Sequence, residues 1–290
     1  MKIILVVSAR PNFMKVAPIL ALMKAREDVF SPVLVHTGQH YDADLSDVFF
    51  EDLDLPEAAH YLAVGSGSHA EMTAKTMMAF EPVLLEEKAD AVLVVGDVTG
   101  TLACALDAAK LHIAVAHVEA GLRSRDRKMP EEVNRVLTDA ISDFLLTPSR
   151  DADENLLSEG IPSERIHFVG NVMVDSLRRA EGALGRSTVL ADNGVSAGAF
   201  AYATMHRDFN VDVAESLARG LEVIERVQER LPVLFAVHPR TKARIARFGF
   251  DERLARMRNL KRLTPVGYVD SLRLQRDAAL VLTDSAGLQE

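Results

Sequence analysis

The chain has 290 residues, 48% of them hydrophobic and 26% charged, with a formal net charge of −9. That is the composition of a globular chain long enough for two domains, and its acidic balance excludes a broad nucleic-acid-binding surface, so an anionic ligand needs a local cationic pocket. A single cysteine, Cys104, excludes an internal disulfide framework and fits a cytoplasmic address, while no apolar run approaches the ~20 residues of a membrane span.

The continuous apolar run 3–7 predicts a strand buried on both faces; because Ser8-Ala9-Arg10-Pro11 follows at once, a signal core fits less well. A helix is expected from there to about residue 26, with Pro18 near enough to its start to be tolerated. Arg10 and Lys15 fall at its amino end, where the helix dipole already favours anions, so cations there need a reason. A diphosphate supplies one; a solvated surface pair is the ordinary alternative. The second strand, 33–35, runs into His36-Thr37-Gly38-Gln39-His40. Gly38 and the lack of an acid argue against a zinc-binding helix, so the two histidines are expected to line a crevice. The stretch 65–68, Gly-Ser-Gly-Ser, reads as a connector ahead of a helix over 70–87.

The stretch from 91 to 135 is the most informative. A buried-strand run at 91–95 breaks at Gly96-Asp97, and a helix over 99–110 follows, with Cys104 expected as a buried structural thiol. A second apolar run, 113–116, ends in His117-Val118-Glu119-Ala120-Gly121. After a polar loop, Pro130-Glu131-Glu132 opens another helix with proline in its first turn. Two successive strands thus end in acids, Asp97 and Glu119, and a third acid, Glu131, opens the next helix. In an open parallel sheet the carboxyl ends of the strands line the ligand crevice. Carboxylates crowded there repel one another, which raises a pKa toward the range of a general acid–base. An acid after a strand is also an ordinary helix cap.

Short strands at 144–147 and 166–169 alternate with a helix over 151–159 that ends at Gly160 and another reaching about 181. This alternation predicts a doubly wound α/β domain over 1–182. The glycine-rich stretch 183–198 is expected to be a linker, and the alternation restarts over 199–290, with strands at 200–204 and 233–237 and a helix over 213–230. His206 and His238 each follow a strand. The basic run between 240 and 262 reads as a solvated helix face. A last strand, 279–283, leads into Asp284-Ser285-Ala286-Gly287, small residues whose free amides at a helix start would cradle an anion.

Several of these blocks resemble the signatures of the non-hydrolysing UDP-N-acetylglucosamine 2-epimerases: Ser8-Ala9-Arg10-Pro11-Asn12 with Lys15, Gly96-Asp97-Val98-Thr99, 117–124, Pro130-Glu131-Glu132 with Asn134-Arg135, His206-Arg207, Pro265-Val266-Gly267-Tyr268, and 284–290. Asn12 replaces an acid common in the family, Ser271 stands where an aromatic is frequent, Asp208-Phe209 departs from the usual Arg-Glu, and Ala286 replaces a glycine. The resemblance implies two Rossmann-like doubly wound domains facing a cleft, the GT-B arrangement. It implies Asp97, Glu119, Glu131 and His206 as catalytic residues. Arg10, Lys15, Arg135, Ser285, Ala286 and Gly287 would bind the UDP-sugar. Neither cofactor nor metal is expected, in keeping with the missing Gly-x-Gly-x-x-Gly fingerprint, and neither a nucleic-acid nor a membrane partner; a homodimer is. A glycosyltransferase on the same scaffold is the rival reading. Family members continue past the helix that starts at Ser285, so the second domain is expected to be incomplete and the chain a partial member.

Overall fold

A computed structural model describes residues 1–38, 53–264 and 266–289, and the chain divides into two compact units, 1–179 and 180–290. His40, Pro265 and Glu290, singled out above, lie outside the described residues, as do the side chains of Arg10 and Ala286.

The first unit is built on a seven-stranded sheet in the order β3-β2-β1-β4-β5-β6-β7, with every pair parallel. Its strands are β1 (Lys2–Val7), β2 (Ser31–His36), β3 (His60–Tyr61), β4 (Ala91–Val95), β5 (Ala114–Val118), β6 (Phe144–Thr147) and β7 (Ile166–Phe168). Ile3–Val7 of β1 and all of β4 are buried, as expected of unbroken Val/Ile/Leu runs covered on both faces. The connecting helices are α1 (Arg10–Lys24), α2 (His69–Glu87), α3 (Thr99–Lys110), α4 (Pro130–Ile141), α5 (Arg150–Ser158) and α6 (Val172–Leu184), the last crossing the boundary between the units. Helix α2 begins in a capping box: the Glu71 amide donates to Ser68 Oγ at 3.3 Å and the Ser68 amide to Glu71 Oε2 at 2.8 Å. The residues read as a connector therefore start a helix. Helix α3 presents Cys104, Ala105 and Ala108, all fully buried, to a core shared with Ile4, Val92, Val94 and Val115. Small side chains let this helix lie close to the sheet, and burial pushes the Cys104 thiol well above its ordinary range.

The second unit holds a four-stranded parallel sheet in the order β10-β9-β8-β11, formed by β8 (Ala201–Met205), β9 (Val233–Val237), β10 (Leu260–Leu263) and β11 (Leu280–Thr283). Alternation along β8 sends Ala201, Ala203 and Met205 to a core with Leu217, Leu221 and Ile224 of α9, while Tyr202, with Phe200, faces Leu234 and Leu274. The helices are α7 (Val189–Asn193), α8 (Asp208–Val211), α9 (Ala214–Gln228), α10 (Pro239–Arg247), α11 (Asp251–Ala255), α12 (Tyr268–Asp277) and α13 (Ala286–Gln289).

Two expectations change here. The stretch 183–198 carries the end of α6 and the helix α7, whose Val189 and Leu190 are buried against Phe200, Tyr202 and Leu274. This one apolar pair anchors a stretch that otherwise reads as loose. The basic run 240–262 is two helices and a strand, and its arginines answer local acids: Arg240 and Arg244 hold Asp212, Arg253 holds Glu225, and Arg262 holds Asp251.

Candidate active site

In the first sheet the strand order turns back between β1 and β4, the switch point where open α/β sheets leave a crevice beyond the strands' carboxyl ends. The turn after β4 carries Gly96 and Asp97 and the turn after β5 carries Glu119, while the opening turns of α1, which follows β1, carry Asn12 and Lys15. Gly96 takes φ +67°, which favours glycine, and a methyl built on it would lie 3.4 Å from both Glu119 Oε2 and Lys15 Nζ. Lys15 Nζ donates to Glu119 Oε2, with both side chains largely buried. Lys15, expected at a diphosphate, is thus engaged with one of the acids. Asn12 also has a structural duty: its Oδ1 accepts from the amides of Ser8 and Ala9, and its Nδ2 donates to Val95 O at 3.1 Å. An amide does this and a carboxylate, lacking a donor, does not.

Arg135 reaches from α4 to two acids. Nη2 donates to Asp97 Oδ2, and Nη1 donates to Glu132 Oε2 at 2.5 Å. Asn134 Nδ2 donates to the Asp97 carbonyl at 2.9 Å. Glu132, 2% exposed, also accepts the amides of Ser124 at 2.9 Å and Arg125 at 2.8 Å, closing the loop ahead of α4. Burial pushes this carboxyl up, but those amides and Arg135 outweigh it and hold it below its ordinary range. Glu131 is placed differently: it is exposed, and no hydrogen bond or ion pair to it is seen among the described residues. The structure therefore joins Asp97, Arg135 and Glu132 in one network and Lys15 with Glu119 beside Gly96, and leaves Glu131 facing solvent.

Glu119 itself has φ +68°, a left-handed conformation that crowds the Cβ of a non-glycine residue against its own backbone. The turn is braced on both sides. His117 is fully buried; its Nδ1 lies 2.6 Å from Asp139 Oδ1 and its Nε2 donates to Gly96 O at 2.8 Å. Asp139 Oδ2 accepts the Gly121 amide at 3.1 Å and pairs with Arg123 at 2.7 Å. Burial pushes Asp139 up, but His117 and Arg123 hold it below its ordinary range. Gly121 is required where it stands, since a Cβ there would meet Ala152 O at 2.5 Å. His36 is stacked between Phe13 and Tyr61, with ring centroids at 5.4 and 4.9 Å, and burial lowers its pKa to about 4, so it is neutral. Of these residues, sequence reasoning left Glu132, Asp139 and His117 out of the site. His117 and Glu132 sat inside signature blocks without being singled out; Asp139 lies within a helix and gave no local signal.

In the second unit the order turns back between β8 and β11, and His206 and Asp284-Ser285 follow those two strands. Asp284 gathers the turn: it accepts the backbone amides of His206 at 3.0 Å and Arg207 at 3.0 Å, and Asn210 Nδ2 at 3.0 Å. Its Oδ1 lies 3.1 Å from His206 Nδ1, which fixes the imidazole with Nε2 outward. Burial raises the Asp284 carboxyl, but Asn210 and the two amides bring it below its ordinary range. Ser285 N donates to Thr283 Oγ1 at 3.0 Å, so that amide is engaged within the turn, and Gly287 is exposed at the start of α13.

A protein-family model described as UDP-N-acetylglucosamine 2-epimerase matches residues 23–290. A UDP-N-acetylglucosamine 2-epimerase homolog of Methanococcus maripaludis is 43% identical, over 100% of this chain and 80% of its own. A UDP-2,3-diacetamido-2,3-dideoxy-D-glucuronate 2-epimerase of Pseudomonas aeruginosa is 40% identical over the same shares. The crystal structure of the Methanocaldococcus jannaschii UDP-GlcNAc 2-epimerase, in complex with UDP-GlcNAc and UDP, superposes with a TM-score of 0.88 at 41% identity, covering 100% of this chain and 80% of that one. The chain spans about 80% of the length of each of these relatives. A match over nearly the whole chain, together with acids held at the switch point of a doubly wound sheet, settles the assignment: this chain belongs to the UDP-N-acetylglucosamine 2-epimerase family of isomerases.

Proposed function

We propose that the chain inverts C2 of UDP-N-acetylglucosamine to give UDP-N-acetylmannosamine, by eliminating UDP and adding it back. A carboxylate takes the C2 proton as the C1–O bond to the diphosphate breaks, leaving a C1–C2 double bond in a glucal. UDP then returns to C1 while a proton is delivered to the opposite face of C2. The observation that carries this reading is the pair of acids on adjacent turns, Asp97 held by Arg135 and Glu119 held by Lys15. Glu131 is exposed at the start of α4, free to swing toward a bound sugar, and completes the acid set. In the second unit, His206 Nε2 serves the departing diphosphate. Ser285, Ala286, Gly287 and Arg10 keep the UDP-sugar-binding role that the family resemblance gives them. We assign the product to cell-surface polysaccharide synthesis, the location to the cytoplasm and the assembly to a homodimer.

The Pseudomonas relative sets the alternative substrate, a UDP-sugar with a second acetamido group and a C6 carboxylate, which the same C2 chemistry would accept. NMR in deuterated water decides between them. Incubation of the chain with UDP-N-acetylglucosamine is expected to place deuterium at C2 as the manno epimer accumulates. Exchange only with the diacetamido glucuronate would reassign the substrate. Transfer of the sugar to an acceptor with C2 untouched would replace the epimerase by a glycosyltransferase.

A further inference from the structure

We propose that His117 and Asp139 are positioning residues that hold both acid-bearing turns in register, a role that rests on the C2 chemistry above. His117 is fully buried and Asp139 is 1% exposed, so neither meets a substrate. Both connect to backbone atoms that set where Asp97 and Glu119 sit. A carbonyl only accepts, so the 2.8 Å contact to Gly96 O places a proton on His117 Nε2. The Gly96 amide donates to Val118 O at 3.1 Å, so both polar backbone groups of Gly96 are fixed from the end of β5. Gly96 O belongs to the planar peptide that leads into Asp97, and its orientation sets the start of that residue. Asp139, meanwhile, takes His117 two residues before Glu119 and the amide of Gly121 two residues after it. One carboxylate on α4 therefore braces the strained Glu119 turn at both ends and, through the imidazole, the Asp97 turn as well.

A buried ion cluster is a weak source of stability, because apolar side chains of the same volume usually fill such a space as well or better. Its value here is geometric. Misplacing a reacting group by ~1 Å costs on the order of a hundredfold in rate.

Two substitutions separate positioning from packing. Glutamine at 117 carries its amide nitrogen where Nε2 lies and keeps the bond to Gly96 O. Asparagine carries its amide where Nδ1 lies and keeps Asp139 instead. His117→Asn is expected to lose kcat by roughly ten- to a hundredfold with KM nearly unchanged. His117→Gln is expected to retain the greater part of kcat although it strands the buried Asp139 and melts at the lower temperature of the two. Activity and stability then rank the variants in opposite orders. Should the asparagine variant be the more active, or activity simply follow melting temperature, the positioning role is wrong. Nitrogen-15 NMR of histidine-labelled protein reads the clamp without turnover: both His117 ring nitrogens are expected to carry slowly exchanging protons. A bare Nε2 overturns the proposal. A chain that shows these protons yet leaves every UDP-sugar unchanged retains the clamp and removes the epimerase reading.

Discussion

Glu119 occupies backbone space that costs a non-glycine residue of order 1–3 kcal/mol, so the surrounding bonds must over-determine it. Arg135 poses the matching problem for Asp97, because one guanidinium spans two carboxylates on different elements, Asp97 after β4 and Glu132 in α4. A planar fork does this; a single ammonium does not. Arg135→Lys is therefore expected to lose kcat/KM by about tenfold or more while the melting temperature moves only a few degrees, since Glu132 keeps its two loop amides. Equal activity in the lysine variant would show that charge alone suffices at this position. At this scale the legible residues were those directly after strands, Asp97 and Glu119, and the arginine in a signature block. Glu132 was eclipsed by its neighbour Glu131, and nothing local tells which of two adjacent acids turns inward; the deciding partners are amides seven and eight residues away. Asp139 was invisible for the same reason at longer range, its histidine partner lying 22 residues back.

Among the elements, those with unbroken apolar runs, β1, β4 and β9, were legible because burial on both faces leaves no polar position to confuse the pattern. The elements that escaped were short or charged. Strand β3 has two residues, and β10 is Leu-Lys-Arg-Leu, an edge strand whose charged pair is exposed. Helix α3 holds a further element-level feature. Asp107 is buried on it, with Oδ2 lacking a hydrogen-bond partner among the described residues, and its pKa is raised to about 6 by burial, with the Glu81 charge adding to this. The sign follows directly. Between the ordinary value of 3.8 and about 6, the folded chain holds a proton that the unfolded chain has released. Stability therefore falls as pH rises through that window, and above it the helix carries a poorly solvated charge. Asp107→Asn is expected to raise the melting temperature at pH 7.5 by about 2–4 °C, for roughly 1 kcal/mol, and to change little at pH 4. A variant that melts lower at both values would mean the carboxylate has a partner that the folded chain depends on.

Across the whole molecule the same plan occurs twice: each sheet turns back beside its first strand, and near each switch point an acid gathers backbone amides, the buried Asp139 behind the β5 turn in the first unit and the half-buried Asp284 in the second. In a chain of net charge −9 these acids need local donors, which backbone amides and arginines supply. Glu132, Asp139 and Asp284 all have folded pKa values below their ordinary ones. A depressed carboxyl contributes stability that is complete above its unfolded value, about 4, and is lost as pH falls through the lower folded value. These groups thus contribute to the acid limb of the stability profile, opposite in sign to the Asp107 effect and lying below it in pH. Asp284→Asn tests this, because asparagine keeps one acceptor but loses the charge that collects two amides and Asn210. Amide exchange in β8 reads the second unit without assuming that the whole chain unfolds in one step. The variant is expected to lose roughly 1–3 kcal/mol of protection at pH 7, the range for disturbing a buried hydrogen-bonded acceptor, and to decline less steeply than the unsubstituted chain below pH ~4. Parallel declines would assign acid sensitivity to other carboxylates and leave Asp284 as a neutral spacer in the turn.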